Sequence, residues 1–180
     1  MIKNFSWKVI VASCALLLLT ACGGIEAAGK IAKVIANTGI QVGNKEQQPT
    51  VVSLSLVAED ILNLNFEGDA TPIQIDFFQL KDNSRFVAAD YDSIANDPKY
   101  ILGSSYIEQE EYCIEPSDNK YIDDIELDSK TKYIGIVAHY ADIEEVIWKK
   151  IVKVNALGET PHFLVLLKDR EVRLDRMDDK

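Results

Sequence analysis

Val51-Val52-Ser53-Leu54-Ser55-Leu56-Val57-Ala58 is the stretch that sets the fold class. Val52, Leu54 and Leu56 alternate with Ser53, Ser55 and Val57, and a two-residue period puts the two sets on opposite faces of a strand. Moving outward, Ile73, Ile75 and Phe77 alternate with Gln74, Asp76 and Phe78, and Pro72 suits a strand start. Further strands are predicted over Tyr106–Ile114, Tyr121–Leu127, Tyr133–Tyr140, Trp148–Val154, Phe163–Leu167 and Glu171–Leu174. Turn signals such as Pro116-Ser117-Asp118-Asn119 and Ala156-Leu157-Gly158 separate them. Eight short strands in about 125 residues imply a mostly β, antiparallel β-sandwich. Tyr133–Tyr140 is apolar on both faces apart from Gly135 and His139, as a central strand would be.

One stretch interrupts the series. Ser84 to Leu102 reads as a helical insertion (about 84–103), with Ser84 as N-cap and Phe86, Ala89, Ile94 and Tyr100 as apolar contacts. Pro98 divides it into two pieces.

The N-terminus has the three parts of a secretory signal. Lys3 and Lys8 begin it, Val9 to Leu19 is apolar but for Ser13, and Thr20-Ala21 precedes Cys22. The apolar run is too short to span a bilayer, which needs about 20 residues. An ordinary cleaved signal followed by a chance cysteine is one reading. Leu19-Thr20-Ala21-Cys22 fits a lipobox better: residues 1–21 are removed and the Cys22 thiol is acylated. Two or more acyl chains anchor stably where one does not. Gly23 is not the aspartate that retains lipoproteins in the inner membrane, so the inner leaflet of the outer membrane is expected, with the body in the periplasm. Residues 25–38 read as a short amphipathic N-terminal helix, with Ile25, Ala28, Ala32 and Ile35 on one face. Residues 40–49 are a polar linker, so 22–49 form a lipidated arm and 50–180 the sandwich domain.

Charge excludes whole classes of partner. The chain has 19 basic and 29 acidic residues; losing Lys3 and Lys8 with the signal leaves 17 against 29, a net charge of −12. Such a surface is wrong for nucleic acid, whose binding rests on Lys and Arg. Cys14 leaves with the signal and Cys22 is blocked by lipid, so Cys113 has no internal disulfide partner. With Glu110, Glu111 and Glu115 around it, a buried, inert thiol is expected.

The sequence is poor in catalytic chemistry. His139 lies in a strand without acidic or cysteine neighbours at ligand spacing, and His162 follows Pro161 in an expected turn. There is no phosphate loop, nucleophile elbow or H-E-x-x-H. Glu110-Glu111, Asp123-Asp124 and Glu144-Glu145 are adjacent in strand or turn, so neither member of a pair supports the other as a dyad. Asp118, Asp123, Asp124 and Asp128 lack EF-hand spacing. The expectation is a non-enzyme without metal, cofactor or small-molecule substrate.

What stands out is the connection Glu59 to Thr71, long for a hairpin, for which two to five residues are usual. Leu64 and Phe66 sit in it among Asn63, Asn65, Glu67 and Asp69. They either form a protein-recognition loop or fold back and bury on their own domain, and spacing does not choose. Asn63, Leu64, Asn65, Phe66, Glu67, Gly68 and Asp69 are the candidate partner-binding residues.

Several blocks in order resemble the type VI secretion lipoprotein family TssJ (VasD, SciN). They are the lipobox, Val51–Ala58, Leu62-Asn63 with Gly68-Asp69-Ala70-Thr71-Pro72, and Phe78-Gln79-Leu80-Lys81, similar to the family's Tyr-Gln-Leu-Lys. Phe86–Tyr91 with Leu102-Gly103 resembles the family's helical insertion, and Thr131–Tyr140 followed by Trp148-Lys149 resembles its most recognisable block. The resemblance implies a transthyretin-like sandwich with a small helical addition. It also implies an outer-membrane lipoprotein that binds the periplasmic C-terminal domain of TssM, in a complex also containing TssL. By the resemblance, Ile61 to Thr71 is the TssM-contacting loop. Leu64-Asn65-Phe66 stands where the family often has a proline, and Pro116-Ser117 replaces a Pro-Gly turn. The alternative function is a ligand-binding lipoprotein taking a sugar or peptide on an exposed aromatic platform, with Trp148 and Tyr140 as candidates. A third, an envelope hydrolase, lacks its nucleophile–base pair.

Overall fold

The structure is a computed structural model, and it describes residues 44–177. The signal segment 1–21, Cys22 and the expected helix 25–38 lie outside the described residues. A 3-10 turn, Lys45–Gln47, precedes eight strands: β1 (Val51–Ala58), β2 (Ile73–Leu80), β3 (Tyr106–Ile114), β4 (Asn119–Glu126), β5 (Tyr133–Ala138), β6 (Lys149–Lys153), β7 (His162–Leu167) and β8 (Val172–Met177). Each answers to a predicted strand.

They form two four-stranded sheets, ordered β4-β1-β7-β8 and β3-β2-β5-β6. The strand pairs are antiparallel except one: β1 and β7 run parallel, with Ser53 opposite His162 and Ala58 opposite Leu167. This qualifies the antiparallel expectation. The chain crosses between the sheets several times before β7 returns beside β1, and alternation along a strand carries no information about that partner's direction. β5 lies between β2 and β6, an inner strand as its doubly apolar sequence requires.

The alternating positions meet between the sheets. Val52, Leu54, Leu56, Phe163, Val165 and Leu167 of one face Ile73, Ile75, Phe77, Ile134, Ile136 and Ala138 of the other, all buried. Each of these side chains except the smaller Ala138 contributes roughly 1.5–3 kcal/mol by leaving water. Gln79 shares the inward face of β2 and is also buried. Its amide is fully used: Oε1 accepts from Asp128 N (2.9 Å) and the Thr131 hydroxyl (2.8 Å), while Nε2 donates to Glu108 Oε2 (3.2 Å) and the Glu126 carbonyl (3.1 Å). A buried amide with every group satisfied can lock the turn between β4 and β5 to β2.

The other face of β3-β2-β5-β6 is covered by the helical insertion. It forms three short helices rather than two: α1 (Ser84–Ala88), α2 (Tyr91–Asn96) and α3 (Pro98–Leu102). Pro98 starts α3, and the extra break falls at Ala89-Asp90, where Asp90 caps α2 by accepting from Ser93 N (2.9 Å). Those bonds favour the ionised Asp90, and with Ser93's backbone N–H foremost they lower its pKa. Ser84 is the first residue of α1 and not its cap; its N–H is taken by Asp82 Oδ1 (3.1 Å). Phe86, Ile94 and Leu102 bury against Phe78, Leu80 and Val137, with Ala89 half-buried beside them. Tyr100, expected inside, is exposed because α3 restarts the helical phase and turns Leu102 inward instead.

Two contacts fix this insertion. Gly135 lies under the Phe86 ring so closely that a Cβ there would stand 2.7 Å from Phe86 Cε2. Lys149 Nζ donates to the carbonyls of Phe86 (2.9 Å), Val87 (2.8 Å) and Ala89 (2.6 Å), groups a short helix leaves unpaired at its C-terminal end. Burial lowers the Lys149 pKa.

Cys113 is exposed, against expectation. Ile114 takes the buried phase of β3, so its neighbour must face outward, opposite Gln74.

Candidate partner-binding site

The connection between β1 and β2 neither stands free nor folds back whole. Leu62 is fully buried, so the chain is pinned before it turns. Asn63 then adopts φ 49°, a left-handed conformation asparagine tolerates better than most residues. Its buried side chain is the hinge: Nδ2 donates to Thr71 Oγ1 (2.9 Å) and the Pro72 carbonyl (2.7 Å), and Oδ1 accepts from Ala141 N (2.6 Å). The Thr71 hydroxyl donates back to the Asn63 carbonyl (2.5 Å). Leu64 and Ala70 form an antiparallel bridge, and Asn65 N donates to the Asp69 carbonyl (2.9 Å). The Asn65 side-chain oxygen accepts from the N–H groups of Glu67 and Asp69, both at 2.9 Å. Gly68 supplies the positive φ of 87° that closes the turn.

The result is a miniature hairpin with a rigid tip. Leu64 is half-buried, while the Phe66 ring stands clear of the domain at 108% relative exposure. The two readings of the loop therefore divide between its two apolar residues. An ordered tip holding one bare aromatic has the form of an interface anchor.

Behind the tip lies a groove of about 290 Å³, between the hairpin, the β5–β6 connection and the β7–β8 turn. Leu64, Phe66, Tyr140 and Val146 are its apolar lining residues, and Asp142, Asp169 and Arg170 its charged ones. Tyr140 is buried, and its hydroxyl donates to the Lys168 carbonyl (2.9 Å). Burial raises the Tyr140 pKa, with the negative charges of Asp169, Glu171 and Glu59 adding to it. Arg170 Nη1 donates to the Glu144 carbonyl (3.1 Å), and Ile147 pairs with Glu171, so the two connections brace each other. Sequence reading missed Asp142, Val146, Asp169 and Arg170, which only the strand order brings to Leu64.

Other expected residues take structural places. Trp148 is half-buried, edge-on to Tyr91 (5.2 Å between centroids), with Lys149 Nζ 4.7 Å from its ring centre. With Tyr140 buried too, neither offers the open platform a sugar site would want. His139 is held by Asp76 Oδ2 (2.9 Å) and the Tyr91 hydroxyl (3.2 Å), partners far away in sequence. His162 opens β7 rather than lying in a turn, with a ring nitrogen against each of Ser53 Oγ (2.9 Å) and Ser55 Oγ (3.0 Å). Among the described residues, no group of three or more His, Cys, Asp or Glu could hold a metal ion.

Fold and tip together define a two-sheet β-sandwich with a helical insertion and an ordered hairpin that exposes one aromatic ring. The chain belongs to the family described as type VI secretion lipoprotein, VasD, EvfM, TssJ, whose model matches residues 50–176. It is thus a type VI secretion lipoprotein, from a family not known for enzymes. The crystal structure of the lipoprotein TssJ1 from Pseudomonas aeruginosa is similar at 27% identity and a TM-score of 0.68, over 73% of this chain and 99% of that one. A chain of a structure described as a type VI membrane complex shares the fold at 22% identity and TM-score 0.62, over 73% and 100% of the two chains. So does a chain of one described as the TssM C-terminal domain from EAEC, at 21% and 0.60, over 69% and 99%. A search of the curated proteins finds no match.

Proposed function

We propose that this lipoprotein links the outer membrane to TssM. Acylated Cys22 holds the inner leaflet, and the tip Asn63–Asp69 binds the periplasmic C-terminal domain of TssM, in an assembly that also contains TssL. The observation that carries this reading is the position of Phe66. The described chain enters β1 at Val51, at one end of the sandwich, and the tip leaves after Ala58 at the other. Eight residues of strand separate the two by about 26 Å at 3.3 Å per residue. A chain that arrives at one end of the sandwich and carries an aromatic tip at the other suits a bridging role. The occurrence of this fold in a structure described as the TssM C-terminal domain supports the choice of partner.

The test is capture of the periplasmic TssM fragment by the purified lipoprotein. Replacing Asn63–Asp69 with a short Gly-Ser turn is expected to abolish capture while leaving the thermal midpoint within a few degrees. Undiminished capture would sink the tip assignment. For the anchor, Cys22→Gly should release the protein into the periplasmic fraction and stop secretion; full secretion by that variant contradicts the tether.

A further inference from the structure

We infer that the groove behind the tip receives a lysine or arginine side chain of the partner, selected by Asp142 and Asp169. The inference rests on the docking role of the tip and adds the chemistry of what is docked. The groove has two kinds of lining, and each suits a part of a long basic side chain. Leu64, Tyr140 and Val146 line it with apolar surface, which suits a methylene stem, and Asp142 and Asp169 line it with carboxylates, which suit the charged head.

These carboxylates are not consumed by the fold. Asp142 Oδ1 accepts from Glu144 N (3.0 Å), and Oδ2 has no partner among the described residues. Asp169 faces Arg170 Nε only at 3.9 Å, while Arg170 spends Nη1 on the Glu144 carbonyl. The surrounding field has the same sign. Glu67 and Asp69 on the tip and Glu144 and Glu145 on the β5–β6 connection outnumber the cations Lys168 and Arg170, and Lys168 is taken by Glu59 (3.4 Å). The raised pKa of the Tyr140 hydroxyl, to which Asp169, Glu171 and Glu59 contribute, is an independent sign of that field at the groove floor. An acidic or purely apolar segment would leave Asp142 without a counter-ion and Asp169 with only Arg170 at 3.9 Å; a basic one supplies the missing charge. Asn63, bonded at once to the hairpin stem and to Ala141, holds the walls at a fixed spacing before the partner arrives.

The experiment measures binding of the periplasmic TssM fragment to the full mature lipoprotein in detergent, from 50 to 500 mM salt. Asp142→Asn with Asp169→Asn keeps the amide oxygen that Glu144 N needs and removes two charges. Glu111→Gln with Glu126→Gln removes two charges from exposed positions on β3 and β4. The groove pair should weaken binding about tenfold at 50 mM, converging on wild type at 500 mM, and the remote pair should stay within twofold. Equal effects of the two pairs overturn the groove assignment and leave the tip assignment standing. Binding that survives replacement of Asn63–Asp69 overturns the docking role and this inference with it.

Discussion

The connections at the two ends of β2 each carry a phenylalanine, and they place it oppositely. After Leu80, the chain builds α1 to α3 and buries Phe86 to 1% exposure against Phe78 and Gly135. Before Ile73, it builds a hairpin of similar order and leaves Phe66 at 108%. Both segments are locked by hydrogen bonds, one by Lys149 on three carbonyls, the other by Asn63 and Asn65. Rigidity is therefore common to both, and burial is what separates them. In the insertion, order serves the packing of the sheet. In the tip, order holds an apolar ring in water, a cost the isolated domain does not recover and a bound partner can.

The largest effect that follows is on the buried member. Phe86→Ala should lower unfolding free energy by about 3–5 kcal/mol, read from denaturant midpoints, because it empties the space over Gly135. Phe66→Ala should leave stability within about 0.5 kcal/mol and weaken TssM-fragment binding by about 2 kcal/mol or more, roughly thirtyfold. If Phe66→Ala destabilised the free protein as Phe86→Ala does, the contrast would collapse and the tip would be part of the core.

Gly135→Ala comes next, at about 1–3 kcal/mol, since its Cβ would overlap the Phe86 ring. The sharper measurement is in the Phe86→Ala background, where the same change should be nearly neutral. Neighbours that share one space are not additive. Additive costs would mean that Gly135 is required for some reason other than the ring.

How far the sequence could foresee this contrast depends on distance along the chain. The strands were legible because alternation is local, and Val52, Leu54 and Leu56 announce their face without reference to any partner. The break at Asp90 was legible in principle, since Asp90 stands three residues before Ser93 in capping spacing; the pattern of Phe86, Ala89 and Ile94 hid it. Tyr100 reads as inward from composition alone, but the helix that restarts at Pro98 turns Leu102 to the core instead. The pairing of β1 with β7, the contact of Asp76 with His139 and the groove shared by Leu64 and Asp169 join residues far apart in the chain, and no local period encodes them. The split between Leu64 and Phe66 was undecidable from spacing because it depends on Asn63, whose three side-chain bonds reach Thr71, Pro72 and Ala141.

The smallest expected effect compares tyrosines of the two regions, Tyr140 beneath the groove and Tyr91 on α2. Burial is the first cause of a raised pKa in both, followed by Asp169, Glu171 and Glu59 for Tyr140 and by Asp76 and Asp92 for Tyr91. Below about pH 10, the ordinary tyrosine value, both hydroxyls keep their protons folded or unfolded and contribute no pH dependence. Above it the unfolded chain gives up protons that the folded chain retains, so the unfolded state binds fewer and stability falls as pH rises. Denaturant midpoints measured from pH 8 to 11 should therefore hold level and then decline. Tyr112 adds to the decline, raised by burial and then by Glu110. Tyr140→Phe loses the bond to the Lys168 carbonyl and lowers the plateau, yet it should flatten the alkaline slope. Tyr91→Phe should flatten it less, because Tyr91 is less deeply buried and its raised pKa is the smaller of the two. A slope unchanged by Tyr140→Phe would mean that the groove floor admits water freely, and the groove would then be an open cleft rather than a preformed socket.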